Sequence, residues 1–105
     1  MKKIQNNYKV CDVVRVNEAY YRLVLDAPAL AREVKPGQFV HIKVSDSLEP
    51  LFRRPFSVYR AKNGKVEVIL EPVGKGSRML AAKKKGDCLD VLGPLGKPFS
   101  SPGKD

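Results

Sequence analysis

Arg54, Pro55, Phe56 and Ser57 form the run best equipped for chemistry in this sequence. A guanidinium presents a fork of N–H donors that matches phosphate oxygens, and a serine hydroxyl both donates and accepts. Twenty residues after Arg54, the run Gly74-Lys75-Gly76-Ser77 brings a flexible turn to a predicted helix start. Glycines let backbone N–H groups approach an anion, and a helix start adds the positive end of its dipole. The two runs read as halves of a site for a phosphate-bearing cofactor.

Each half has a chemical and a plain reading. Pro55 biases Arg54 toward an extended backbone. On an ideal strand Arg54 and Phe56 project to one side and Ser57 to the other. A ligand touching all three must wrap the strand's edge or an irregular start, and Pro55 supplies such an irregularity because it cannot donate to a ladder. On the chemical reading Arg54 grips a diphosphate, Phe56 covers an apolar ring or sugar, and Ser57 bonds a heteroaromatic edge. The plain readings are an edge strand with surface arginines, and a simple turn whose Ser77 caps a helix. The glycine run is not a dinucleotide fingerprint, since Met79 stands where a third glycine belongs, and it lacks the Walker A spacing.

No nucleophile–base constellation accompanies these runs. The single histidine, His41, is expected to be exposed and idle, pointing away from the face shared by Val40, Ile42 and Val44. Cys11 and Cys88 lie far apart in sequence, without metal spacing, and read as reduced, part-buried thiols. Glu67 and Glu71 read as part of an exposed strand face. The expectation is therefore no catalytic residue and no metal ligand in this chain, with a bound cofactor carrying any reaction.

The elements that must position the site follow from alternation and turn signals. Tyr8 to Val16 is rich in β-branched residues, and in Tyr20 to Asp26 the side chains of Tyr21, Leu23 and Leu25 share a face. Pro28 closes that strand, Ala29 to Val34 can make one helical turn, and Pro36-Gly37 is a turn before a strand over Gln38 to Val44. Ser45 to Pro50 reads as a loop. Phe56 to Ala61 and Lys65 to Glu71 flank Lys62-Asn63-Gly64, a hairpin signal. A helix is expected from Ser77 through Lys85, stopped by Gly86, before a last strand over Cys88 to Leu92 and the turn Gly93-Pro94-Leu95-Gly96. These elements predict an all-β fold: a six-stranded antiparallel barrel with one short helix.

At 105 residues the chain suits one domain with one core. No apolar run approaches the ~20 residues of a membrane span, and no signal core follows the first lysines, so a cytoplasmic protein without membrane contact is expected. Twenty basic against 11 acidic residues give a net charge of +9, which attracts polyanions. A small basic OB-like barrel on nucleic acid is one rival reading. It is weakened by the absence of Trp and by Phe and Tyr residues spread between strands rather than gathered into a stacking platform.

Pro36-Gly37-Gln38-Phe39-Val40, Arg54-Pro55-Phe56-Ser57, Gly74-Lys75-Gly76-Ser77 and Gly93-Pro94-Leu95-Gly96 occur in that order over Tyr8 to Phe99. The series resembles the FAD-binding barrel of the ferredoxin–NADP reductase superfamily, and within it the electron-transfer subunits of dihydroorotate dehydrogenase B. The resemblance implies a Greek-key barrel over residues 1–99 that binds FAD, with residues 100–105 opening a linker to an NAD-binding domain absent here. It implies Arg54 on the FAD diphosphate, Ser57 near the reactive flavin nitrogen, and Ile69, Leu70 and Glu71 passing along the flavin. Gly76 and Ser77 would take the diphosphate at the helix start, while Pro55 and Phe56 belong to the arginine–serine motif. The acid at Glu71 departs from the family pattern and needs to face away or meet a ribose hydroxyl. A longer parent would add NAD(P)H binding, a [2Fe–2S] cluster and an FMN-type catalytic dehydrogenase as partner subunit, serving pyrimidine biosynthesis. Other ferredoxin or sulfide reductases remain an alternative.

Overall fold

The computed structural model describes residues 4–44 and 53–98. The expected loop at Ser45 to Pro50 and the expected linker at 100–105 lie outside the described residues. Strands are β1 (Ile4–Arg15), β2 (Tyr21–Asp26), β3 (Phe39–Lys43), β4 (Arg53–Lys62), β5 (Lys65–Leu70) and β6 (Cys88–Leu95). Helices are α1 (Pro28–Glu33) and α2 (Lys75–Ala81). The strands close into an antiparallel barrel in the order β1-β2-β5-β4-β3-β6, as the alternation predicted.

Inward-facing residues recur every second position. Leu23 and Leu25 on β2, Val40 and Ile42 on β3, Val66, Val68 and Leu70 on β5 and Val91 on β6 are all fully buried. Tyr21 packs against this core as its alternation implied. The β4–β5 hairpin turns through Asn63 at φ 54° and Gly64 at φ 75°. Positive φ at both central residues matches the turn to the right-handed twist of its strands.

Several boundaries differ from the sequence reading, some through pairing between distant strands and some for local reasons. β1 starts at Ile4, because Ile4 to Lys9 pair with Gly93 to Cys88 of β6. β6 accordingly runs through Gly93-Pro94 to Leu95. Pro28 opens α1 instead of merely closing β2; a first-turn proline lacks only an N–H the helix would not use. α2 ends at Ala81 and not at Lys85. Beyond it, the Lys84 N–H donates to the Asp87 carboxylate at 2.8 Å, and Gly86 sits at φ 96°. Ser77 is not the helix cap: Gly74 holds that place, and Ser77 occupies the third helical position.

Glu67 is a further correction. It is buried, not exposed, because two arginines from neighbouring strands cover it. Arg60 on β4 donates to Glu67 Oε2 through Nε at 3.1 Å and one terminal nitrogen at 3.0 Å, and Arg22 Nε on β2 lies 3.5 Å from Oε1. His41 is half-buried, its ring centroid 5.6 Å from that of Phe39. Cys11 is half-buried and Cys88 exposed, both as free thiols.

Candidate flavin site

The site begins with an asymmetry in β4. Its registered partners on β3 run from Arg53 opposite Lys43 to Ser57 opposite Phe39. Its registered partners on β5 run only from Val58 to Lys62. The end of β5, Ile69 and Leu70, registers with Arg22 and Tyr21 of β2. The first half of β4 and the end of β5 therefore part from one another. That opening gives a ligand the strand edge that the Arg54–Ser57 spacing requires. Pro55 lies within β4 opposite His41, where its missing N–H costs no registered pair with β5.

Arg53 and Arg54 have different fates. Arg53 donates to Asp90 Oδ1 on β6 at 2.9 Å, spanning β3, and both side chains are about three-quarters covered. Arg54 takes the opposite phase, paired with Ile42 and in step with Phe56, and is exposed. Phe56 is half-buried against the core, whereas Ser57 is exposed on the outer phase with Phe39.

The glycine turn lies at the same end of the barrel. A Cβ on Gly76 would stand 3.0 Å from Val44 Cγ2, and Val44 directly follows the Lys43–Arg53 pair. Glycine at position 76 thus lets the start of α2 close onto the end of β3, beside the start of β4. The Gly74 N–H donates to Ser77 Oγ at 3.2 Å, and Ser77 Oγ lies 3.2 Å from the Gly74 carbonyl. The hydroxyl secures the turn from inside, while helix-start N–H groups project from its end.

Of the other expected site residues, Leu70 is fully buried, so its side chain belongs to the core and only its main chain can face a ligand. Ile69 is half-buried on the outer phase. Glu71 is exposed at the turn after β5, its carbonyl accepting from the Val73 N–H at 2.7 Å.

Two positions escaped the sequence reading. Gln38 is buried; its Oε1 accepts from the Lys35 N–H at 2.8 Å and its Nε2 donates to the Gly96 carbonyl at 2.9 Å. Its own carbonyl accepts from Val58 N–H at 3.2 Å, so it ties β3, β4 and the end of β6 together. A polar residue directly after Pro36-Gly37 was the available signal. The Arg53–Asp90 pair had none, its members being 37 residues apart.

A guanidinium and a helix start toward one barrel end, with a hydroxyl three residues farther along β4, suit a diphosphate joined to an aromatic ring. The family model for the oxidoreductase FAD-binding domain matches residues 7–99. The chain belongs to this family. FAD-binding domains of similar sequence occur in the dihydroorotate dehydrogenase B (NAD(+)) electron transfer subunits. That of Bacillus velezensis is 41% identical over 98 residues, covering 91% of this chain and 36% of the subunit. That of Geobacillus thermodenitrificans is 44% identical over 86 residues, covering 80% and 34%. Among solved structures, an NADH-dependent reduced ferredoxin-NADP oxidoreductase studied for flavin-based electron bifurcation superposes with a TM-score of 0.80 at 32% identity. That match covers 89% of this FAD-binding domain and 34% of the solved chain. The ferredoxin reductase of carbazole 1,9a-dioxygenase, in its FAD apo form, gives 0.79 at 25% identity, covering 99% and 34%. The FAD-binding domain here thus spans about a third of the length of the relatives it matches. No helix among its described residues is long and apolar enough to cross a membrane.

Proposed function

We propose that this chain is the flavin-holding barrel of an NAD(P)H-linked electron-transfer subunit of the dihydroorotate dehydrogenase type. In that reading it works with an NAD-binding domain beyond residues 100–105, a [2Fe–2S] centre and an FMN-type catalytic partner. FAD would supply the redox chemistry, accepting a hydride and passing electrons on singly. The chain's own residues bind and orient. Arg54 neutralises the diphosphate together with N–H groups at the start of α2, near Gly76 and Ser77. Phe56 lies along the flavin or its ribityl chain, with Pro55 keeping the strand edge open. Ser57 offers its hydroxyl to the reactive nitrogen's edge of the ring. Ile69, the Leu70 main chain and Glu71 border the ring from β5, Glu71 from the solvent side. Arg53 is excluded from this set because Asp90 already holds it.

The observation that carries the reading is the parting of β4 from β5 beside Arg54, at the barrel end where Gly76 meets Val44. Titration of the chain with FAD, followed by flavin fluorescence and absorbance, tests it: quenching with saturation is expected. Absence of flavin binding, with an oligonucleotide binding in a steeply salt-dependent way, would instead favour a nucleic-acid barrel.

A further inference from the structure

A hollow of about 400 Å³ opens on the outside of the barrel where β1, β2 and β5 meet the turn before β6, and Lys9, Cys11, Asp26, Lys65, Lys85 and Gly86 border it. It lies by the first residue of β5, at the other end of that strand from the opening beside Ile69 and Leu70. We propose that this hollow is a modification site, where Cys11 exchanges with the disulfide of a small anionic thiol of the glutathione class. The proposal is independent of the flavin reading.

The backbone presents the thiol. β1 pairs Val10 with Leu25 and then Asp12 with Val24, so Cys11 is the extra residue of a bulge. A bulge takes its residue out of the ladder and re-aims the side chain. Cys11 is half-buried and free. The turn before β6 is tied to the same place: the Gly86 N–H donates to the Val10 carbonyl at 2.9 Å, and the Val10 N–H donates to the Asp87 carbonyl at 2.7 Å. Lys85 is thereby brought to the rim of the hollow.

The charges around the thiol suit an anion. Lys9 and Lys65 flank Asp26 across three adjacent strands. Lys65 Nζ lies 3.3 Å from Asp26 Oδ1 and also hydrogen-bonds the Cys11 side chain. Asp26 is the one carboxylate on the hollow, against three ammonium groups. Asp12 turns its carboxylate onto the Val13 N–H at 2.9 Å, and Asp87 turns its own onto the Lys84 N–H at 2.8 Å. An entering disulfide that bears carboxylates therefore meets a positive rim, and a cationic one is repelled. In the exchange the Cys11 thiolate attacks one sulfur of the disulfide, the old S–S bond breaks and a new one forms to Sγ. The released half leaves as a thiolate and takes up the proton that Cys11 gave up. Cys11 is oxidised to the mixed disulfide, and the departing thiol is the reduced product.

Reagent charge tests this directly. The chain is incubated with oxidised glutathione, which is anionic, and with cystamine, which is cationic. Adduct formation at each thiol is timed by peptide mass spectrometry, and each rate is divided by that of mercaptoethanol, a neutral thiol, with the same disulfide. At low salt Cys11 is expected to favour glutathione by about tenfold or more. In 1 M salt, where the screening length is about 3 Å, the preference should shrink to about twofold. Lys65→Gln combined with Lys85→Gln should lower the low-salt preference at Cys11 at least about threefold and leave that at Cys88 as it was. Thermal unfolding checks the fold of the variant, and the salt comparison on the unaltered chain does not depend on it. Equal rates for the two reagents at Cys11, a preference that survives 1 M salt or the loss of both lysines in a folded variant, or oxidation that bridges Cys11 to Cys88 instead of adding glutathione would each overturn the proposal.

Discussion

The two halves of β4 are built from similar residues and do different work. From Val58 to Lys62 the strand is laddered to β5, and its arginine, Arg60, is spent on Glu67. From Arg53 to Ser57 it is laddered to β3 and parts from β5, and Arg54 is exposed at the end of the barrel where α2 begins. What a charged residue on a barrel strand can do therefore depends on what its neighbouring strands bring opposite it. Glu67 arrives opposite Arg60, and Ile42 opposite Arg54.

The largest structural effect is expected at the committed half. Glu67→Ala removes the anion that two arginines converge on and should cost about 1–3 kcal/mol of stability, read as a lowered urea midpoint. The lower part of that range is favoured because Arg22 and Arg60 are a third to a half exposed and can turn to water. FAD affinity should change little, since the open half is untouched; a large loss of binding at unchanged stability would contradict the division.

Asp90→Asn should have a smaller effect of mixed kind. It weakens the link that pins Arg53 across β3 to β6, costing about 1 kcal/mol or less in stability. Because Arg53 starts the open half, FAD affinity should fall severalfold as well. Equal FAD binding by Asp90→Asn and the unaltered chain would show that Arg54 is positioned without its neighbour.

The smallest effect is expected away from both halves. Tyr8 is buried in the core, and its hydroxyl has no hydrogen-bond partner among the described residues. Burial pushes its pKa above the ordinary 10.0. The folded state thus resists deprotonation. Below pH 10 the shift costs nothing, and stability falls as pH rises from there through the folded value. Tyr8→Phe should therefore leave stability at pH 7 unchanged or raise it by less than about 1 kcal/mol, and should flatten its decline above pH 10. A steeper alkaline decline in the variant would show that the hydroxyl is satisfied.

Much of the fold was legible because it depends on local pattern. Leu23 and Leu25, Val40 and Ile42, and the Asn63-Gly64 turn announce strands, inward faces and a hairpin without long-range information. The boundaries that depend on partners were not legible. β4 runs back through Pro55 to Arg53 because β3 pairs with it, and Glu67 is buried only because Arg22 and Arg60 come from other strands. The helix through Lys85 was overdrawn for a local reason: three lysines favour helix, but Asp87 captures the Lys84 N–H and ends it. At the candidate site, the arginine–serine motif of the family resemblance put Arg54 ahead of Arg53, whereas the Asp90 partner of Arg53 was visible only in three dimensions.

The difference between the halves of β4 rests most heavily on Arg54. FAD dissociation constants should be measured by fluorescence quenching for the unaltered chain and for Arg54→Ala, with thermal unfolding of each flavin-free protein alongside. Loss of a charge-assisted contact to phosphate should weaken FAD about ten- to a hundredfold, a larger loss than any accompanying change in unfolding accounts for. Unchanged FAD affinity in Arg54→Ala would contradict the assignment of this half of β4 to the cofactor.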